Sequence, residues 1–303
     1  LISDSVAAVV ITYNRLELLK KVIAGLLNQT KEVDKIIVIN NGSTDGTLDY
    51  LQELEKDNSK IKVITQENLG GSGGQFTGFK VAFEMGYEWI WQMDDDVVVR
   101  LNCLEELFKV RQKELIYSPL RYSIDGTVFY NETIKFNLTN PFKSFWLQVI
   151  SQKDLDKDFI PAEGLTFEGA FLHRSVIEKI GLPQKNFFIF ADDSDFFIRA
   201  KKAGFTPGIL TSAKLDRLLL AEPFKLMHTP RRYYFIRNQI AVDRMHGNFV
   251  VKNLRPLIYF VKWIFRSNSF SDIKYTIKAF VDGWFYKSYD GIEIINEIIK
   301  NGQ

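Results

Sequence analysis

Residues 88–96 read Glu88-Trp89-Ile90-Trp91-Gln92-Met93-Asp94-Asp95-Asp96, an apolar run that ends in three consecutive acids. Large apolar side chains packed into so short a stretch predict a buried strand over 88–93. Adjacent carboxylates repel one another, and folding alone has no use for that cost at the end of a buried strand. A divalent cation would offset it. Extended backbone aims Asp94 and Asp96 the same way, so they can share a hard, oxygen-preferring ion such as Mg2+ or Mn2+. Asp95 then faces the other side, where it can accept hydrogen bonds from a ribose. The carboxyl end of a strand is also where open α/β sheets bind ligands. An acidic surface turn is the plainer alternative, and the apolar strand before the acids weighs against it.

Upstream, the pattern alternates. Val6 to Ile11 is a short apolar run that predicts a buried parallel strand, and Leu16 to Leu27 carries its apolar residues at helical spacing. Lys35 to Ile39 predicts a second strand, closed by the Asn40-Asn41-Gly42-Ser43 turn, with a helix over Thr47 to Leu54 and a strand over Ile61 to Ile64. A glycine-rich loop, Leu69 to Gly74, precedes a helix that runs to Met85. Strands alternating with helices imply βαβ units and a doubly wound sheet. Downstream, residues 115–174 are irregular and predict a mixed sheet region carrying loops. Asp192 to Ala203 predicts a helix, and the chain after Pro230 predicts helices to about residue 300, broken near Gly247-Asn248 and Ser267-Asn268-Ser269.

Three further constellations bear on chemistry. Asn68-Leu69-Gly70-Gly71-Ser72-Gly73-Gly74 would let backbone N–H groups approach a phosphate or a sugar, although a flexible loop would read the same way. Asp192-Asp193-Ser194-Asp195 follows Phe187-Phe188-Ile189-Phe190; these acids either stabilise a helix N-terminus or supply a general base in an aromatic-walled site. His228 stands before Arg231-Arg232 and Arg237-Asn238, whose guanidinium groups could pair with a diphosphate.

Taken together, these residues resemble the family 2 glycosyltransferases of the GT-A fold. The likeness runs through Val9-Val10-Ile11-Thr12-Tyr13-Asn14-Arg15, Asn41-Gly42-Ser43-Thr44-Asp45-Gly46-Thr47, Glu67-Asn68 with the glycine run, Asp94 to Asp96, and Glu168-Gly169-Ala170-Phe171. It continues through Asp192-Asp193-Ser194-Asp195 to Arg199, His228 and Tyr233-Tyr234-x-x-Arg237-Asn238. Bacterial galactofuranosyl- and rhamnosyltransferases are the most similar in the glycine run and the double acid.

The resemblance implies an α/β nucleotide-diphospho-sugar transferase fold, a Rossmann-like mixed sheet flanked by helices with a helical C-terminal extension. Residues 1–228 would form the catalytic domain, with a nucleotide-sugar half (1–100) and an acceptor half (101–228), and residues 229–303 the extension. Thr12, Tyr13, Asn14, Arg15, Asn40, Asn41, Ser43, Asp45, Asn68, Gly70, Gly71, Gly74 and Asp95 would bind the donor. Asp94, Asp96 and His228 would ligate Mn2+ or Mg2+, Glu168 and Gly169 would meet the acceptor, and Asp193 would be the base, with Asp192 beside it. Many relatives have Asp in place of Asn40 against the uracil ring; Asn keeps a carbonyl acceptor, so a UDP-sugar and a dTDP-sugar both remain open. The implied reaction is a metal-assisted, inverting transfer to a glycan or lipid-linked glycan in cell-surface polysaccharide synthesis.

Composition narrows the alternatives. The net charge of +2 hides a division: residues 1–198 are net acidic and residues 199–303 net basic. That basic third calls for an anionic partner or is a solvated helical face. Its Lys and Arg are interleaved with large apolar residues from Leu254 to Lys287, which suits an anionic membrane surface better than nucleic acid. The same aromatics could instead pack onto the catalytic domain or a second copy in a homo-oligomer. A single cysteine, Cys103, fits a reducing compartment, and no signal peptide or spanning stretch is evident, so the expected location is cytoplasmic, peripheral at the inner face of the plasma membrane. A Mg2+-dependent phosphoryl-transfer enzyme would want a DxDxT-like spacing, whereas Val97-Val98 follow Asp96. A nucleotide-sugar-binding protein without activity would have no use for a base at 192–193.

Overall fold

The computed structural model describes residues 4–111, 113–131, 133–220, 230–289 and 291–301. The first half is built from β1 (Val6–Thr12), α1 (Leu16–Leu27), β2 (Lys35–Asn40), α2 (Thr47–Asp57), β3 (Ile61–Thr65), α3 (Gly70–Glu84) and β4 (Trp89–Asp94). Then come β5 (Val97–Val99), α4 (Cys103–Val110), β6 (Ile116–Tyr122), β7 (Ile134–Phe136), β8 (Trp146–Gln148), β9 (Phe159–Pro161) and β10 (Ala170–His173). The chain continues with α5 (Arg174–Ile180), α6 (Asp192–Lys202), β11 (Gly208–Arg217), α7 (Arg231–His246), α8 (Phe249–Phe265), α9 (Phe270–Trp284) and α10 (Gly291–Asn301).

The main sheet runs β3-β2-β1-β4-β10-β6-β11-β5, with β9 added beside β11. Its first four strands are parallel, the doubly wound part expected from sequence. β10 then enters antiparallel to both β4 and β6, which makes the sheet mixed. Both faces are covered, so β1 is buried at every position, as a central parallel strand must be. Ala7, Val9 and Ile11 face a core shared with Phe79 of α3 and Phe196 of α6, and Val6, Ala8 and Val10 face one shared with Leu19 of α1 and Leu104 of α4.

The glycine run expected as a loop is instead the first turns of α3. Packing is the reason. A Cβ on Gly74 would come within 2.4 Å of Ile11 Cγ2, and one on Gly78 within 2.3 Å of Val9 Cγ1, so only glycine lets α3 lie directly on β1. α7, α8 and α9 pack on one another, and α10 packs on α5. Arg255, expected on a membrane-facing surface, is fully buried: its Nε lies 3.1 Å from Asp243 Oδ2 and its Nη2 donates to Asn137 O at 2.6 Å.

Candidate active site

Parallel pairing sets Thr12 of β1 level with Asn40 of β2, and Ile11 level with Asp94 of β4, so three strand ends open on one edge of the sheet. The two turns there are cross-linked. Asn14, at φ 52°, donates its N–H to Ser43 Oγ (3.0 Å) and accepts from the Thr44 N–H (2.7 Å), while Asp45 accepts from the N–H of Leu16 (3.1 Å). A non-glycine residue held at positive φ is a strained conformation that such bonding must maintain. Tyr13 is exposed on this rim, and Asn68 and Gly71 are exposed at the start of α3.

Several residues expected to contact a donor turn inward. Asn40 is fully buried, and its carbonyl oxygen accepts the Ser43 N–H at 3.0 Å. Asn41 is buried between Gly70 O (3.0 Å) and Gln66 Nε2 (2.6 Å), tying β2 to the start of α3. Gly70, at φ 74°, and Gly74 are also buried; a Cβ on Gly70 would strike the Phe188 carbonyl. Asp95 does not face outward to a ribose. It is buried and accepts from Thr12 Oγ1 (2.8 Å), the Tyr13 N–H (3.3 Å) and Arg15 Nη1 (2.9 Å), because β4 ends at Asp94 and the backbone turns there instead of staying extended. Burial raises the Asp95 carboxyl against the opposing pull of Arg15.

Asp94 and Asp96 nevertheless meet, and Glu168 joins them: one carboxylate oxygen from each lies within 4.8 Å of the others. The family resemblance implies an acceptor contact for Glu168 instead. Its place beside the acids follows from β10, where Ala170 pairs antiparallel with Gln92; continuing that register two residues sets Glu168 level with Asp94. Gly169, at φ 90°, makes the turn and donates its N–H to Gln92 O at 2.9 Å. Burial and the charges of Asp96 and Glu168 push the Asp94 carboxyl well above the usual carboxylate range, and burial with the Glu168 charge raises Asp96. Arginines partly answer that charge: Arg15 lies 2.9 Å from Asp96, and Arg121 and Arg217 lie 2.9 Å and 3.2 Å from Glu168. Three hard oxygen donors in mutual reach, still short of cations, fit a divalent ion such as Mg2+ or Mn2+. His228, the expected third ligand, lies outside the described residues.

The acid cluster opens into a cavity of about 680 Å³ whose walls include Asp94, Glu168, Asp192, Asp193, Gly71 and Gln75, with Trp146, Phe167, Phe190 and Phe235 as aromatic panels. Asp192 is buried, and desolvation pushes its carboxyl up to about 6. Asp195 plays a different part. Burial alone would raise it, but Arg199 and His246, at 2.9 Å and 2.7 Å, outweigh that and hold it below the usual carboxylate range.

The approach to Asp192 is strained. Phe188, Phe190 and Ala191 hold φ of 67°, 70° and 67°, a conformation that costs each of them of order 1 kcal/mol or more. Asn238 of α7 holds that loop through Nδ2 bonds to the carbonyls of Phe187 (3.0 Å), Ile189 (2.7 Å) and Phe190 (2.9 Å). Arg237 adds bonds to Asn186 O (2.9 Å) and Phe187 O (2.8 Å). Arg232 is buried and bonded to Trp263 O and Ser267 Oγ, both at 2.7 Å. These two arginines therefore hold structure and are not free for a diphosphate, a commitment that adjacency in sequence could not reveal.

Residues 7–181 match the profile of the family described as Glycosyl transferase family 2. The galactofuranosyltransferase GlfT1 of Mycolicibacterium smegmatis is 23% identical over 256 residues, covering 78% of this chain and 82% of the relative. GlfT1 of Mycobacterium tuberculosis is 27% identical over 223 residues, 70% of this chain and 69% of the relative. The dTDP-rhamnosyl transferase RfbF of Shigella flexneri is 23% identical over 267 residues, 85% and 86% of the two chains. Among solved structures, GalNAc-T7 with UDP, GalNAc and Mn2+ superposes with a TM-score of 0.66 at 12% identity over 98% of this chain, which spans 57% of that one. S. aureus TarS superposes with a TM-score of 0.54 at 15% identity over 88% of this chain and 44% of its own. At such identity the likeness establishes the fold, a GT-A mixed sheet flanked by helices with a helical C-terminal extension.

Proposed function

The chain belongs to glycosyl transferase family 2, and we propose that it moves galactofuranose or rhamnose, with inversion, from a nucleoside diphosphate sugar to a lipid-linked glycan in cell-surface polysaccharide synthesis. The names of the relatives support both sugars, and the donor is a UDP-sugar or a dTDP-sugar accordingly. The observation that carries the reading is a single cavity that joins Asp94 and Glu168 of the acid cluster to Asp192 and Asp193.

Thr12 to Arg15 and Ser43 to Asp45 form the rim that would receive the nucleoside, and Gly71 at the start of α3 would face the diphosphate. Asp94, Asp96 and Glu168 would hold Mn2+ or Mg2+, which when bound supplies positive charge opposite a departing diphosphate. Asp193 lines the cavity and is less buried than Asp192, so it is the better placed to take the proton from an acceptor hydroxyl as that oxygen attacks the anomeric carbon. Attack from the face opposite the leaving group inverts configuration in one displacement. The aromatic panels suit the apolar faces of sugar rings and keep water from the reacting centre.

The site would work at the inner face of the plasma membrane. No helix among the described residues is long and apolar enough to cross a membrane. Yet α8 and α9 leave Leu257, Val261, Phe265, Phe270, Ile277 and Val281 exposed, with Lys262, Arg266 and Lys274 beside them. That is the composition of an interfacial surface. Incubation with Mn2+ and a donor panel that includes UDP-galactofuranose and dTDP-rhamnose, followed by assay of nucleoside diphosphate release, tests the reading. Release from one of those two donors, abolished by chelator and by Asp193→Asn, is expected; release from neither, or full activity in excess chelator, overturns it.

A further inference from the structure

A second cavity, of about 440 Å³, lies between α7, α8 and the 141–146 segment, and it shares Trp146, Phe235 and Gln239 with the first as common wall. The two differ in charge. Among the described residues, no Lys or Arg lines the first, which holds four acids, and no Asp or Glu lines the second, which holds Lys143, Arg232, Lys262 and Arg266. Arg232 is committed to its buried partners. Lys143, Lys262 and Arg266 are exposed, and no carboxylate among the described residues lies in ion-pair reach of them. Beyond this cavity a shallow hollow is lined by Leu257, Ile258, Val261 and Lys262, so Ile258 and Lys262 belong to both. Through these shared walls, then, the surface passes from acidic and aromatic, to basic and aromatic, to apolar.

We propose that the second cavity binds the phosphate ester of an amphiphilic acceptor, with its sugar in the first cavity and its alkyl chain along the apolar hollow. Lys143, Lys262 and Arg266, which no carboxylate among the described residues pairs, line one concave site and match a phosphate group, to which each can give charge-assisted hydrogen bonds. Trp146 and Phe235 in the common wall can stack on the sugar that bridges the two chambers. The order of the chambers fixes the order of the ligand: the hydroxyl to be modified lies toward Asp193, and the phosphate lies away from the acid cluster, where negative charge would be repelled. This rests on the proposed transfer only for what the sugar does; the phosphate subsite stands on the second cavity alone.

Calorimetric titration of the full chain in chelator, which keeps metal-bound phosphate out of the acid cluster, tests it with three probes: decyl phosphate, decyl β-glucoside and inorganic phosphate. Decyl phosphate should bind at least about tenfold tighter than either of the others, and Lys262→Glu/Arg266→Glu should weaken it by about tenfold or more. Both side chains are exposed, so the fold should survive; if a melt shows otherwise, Lys262→Gln/Arg266→Gln serves in its place. Equal binding of decyl glucoside overturns the phosphate, equal binding of inorganic phosphate overturns the amphiphile, and unchanged affinity in a folded variant overturns the site. Phosphate-dependent binding by a protein that releases no nucleoside diphosphate from any donor would sink the transfer reading and leave the subsite standing.

Discussion

Arg15 Nη1 lies 2.9 Å from Asp96 Oδ2, so an acid proposed to hold a metal already has an organic cation at its side. The same nitrogen lies 2.9 Å from Asp95 Oδ1, and Arg15 thereby bridges the acid cluster to the turn after β1. Its guanidinium partly does the work of the ion when no ion is bound. Arg15→Ala should therefore lower the melting temperature of the metal-free protein, and Mn2+ should raise that of the variant by more than it raises the wild type's. Equal Mn2+ shifts in a thermal melt would mean that Arg15 and the cation do not share the cluster.

Glu168 separates two roles by the sign of their effects. Its carboxylate is held by Arg121 and Arg217, and the Arg121 side chain is 2% exposed. Glu168→Gln takes a carboxylate partner from both guanidinium groups and should lower stability in urea unfolding, while abolishing the Mn2+-induced shift. Asp94→Asn should abolish the same shift yet leave the metal-free protein as stable as before or more so, since it removes one of three crowded negative charges. A Glu168→Gln protein that still responds to Mn2+ would return Glu168 to the acceptor.

Asp192 predicts a pH dependence. Its folded carboxyl titrates at about 6 because of burial, above the roughly 3.9 of an unfolded chain. Between those values the folded state keeps a proton that the unfolded state has lost, so this group's contribution to stability falls as pH rises from about 4 to about 6. Two units correspond to about 3 kcal/mol. Asp192→Asn should match wild type near pH 4 and exceed it by up to that amount at pH 7.5. Urea unfolding at both values checks it; a variant no more stable at pH 7.5 would show that the folded carboxyl is not raised.

How far the sequence could be read follows from which contacts are local. The strands at Val6, Lys35 and Ile61 and the helix over Leu16–Leu27 are periodic within themselves, and each lies where its pattern places it, to within a residue or two at the ends. The helical start of α3 was hidden because glycine's poor helix propensity speaks for a loop, while the demand that overrides it, room for Ile11 and Val9, comes from another strand. The break after Trp284 is not among those the pattern predicts, because Gly283 sits inside α9, packed against Ile240 and the Arg237 carbonyl, instead of ending the helix. Asp94 and Asp96 could be paired from spacing; Glu168 could not, since only the antiparallel entry of β10 makes it their neighbour. Charge was the least legible property. Arg232 and Arg255 read as surface cations, and both are buried on backbone carbonyls and an acid contributed by distant segments.

Asn238 should prove a positioning residue. Its amide holds three carbonyls of a loop in which Phe188, Phe190 and Ala191 sit at positive φ. Strain of that kind persists only where the surroundings impose it, and here it aims Asp192 and Asp193 into the cavity. Asn238→Ala should cost about 2–3 kcal/mol of stability, from lost bonds and buried carbonyls left unpaired. Below its melting point it should retain donor affinity while kcat falls more than about tenfold, as expected for misplacement of a reacting group. Loss of donor binding in proportion to kcat would mark the loop as part of the nucleotide site instead.

The exposed face of α8 and α9 gives the last prediction. Several aromatics of that region turn inward: Phe260 packs on Phe280 with ring centroids 4.8 Å apart, and Phe280 on Trp284 at 5.4 Å. Arg255 is buried, and Lys278 is paired with Asp282 at 2.7 Å. Packing within the extension therefore accounts for these side chains. It does not account for Phe265 and Phe270, which are 85% and 83% exposed and bracket the α8–α9 turn, nor for Leu257, Val261, Ile277 and Val281 on the same helices. Lys274, joined by Lys262 and Arg266 whenever those two hold no acceptor phosphate, would face an anionic surface, each contributing on the order of 1 kcal/mol near it, and the apolar tips add the insertion that charge alone lacks. Binding to vesicles with phosphatidylglycerol, but not to pure phosphatidylcholine, should be seen in co-sedimentation at low salt and reversed by high salt. Phe265→Ser/Phe270→Ser should weaken it without changing the melting temperature, because neither ring has packing to lose. If the folded protein fails to sediment with anionic vesicles but its sedimentation coefficient rises with concentration, and the double variant abolishes that rise, the face meets a second copy of the chain instead.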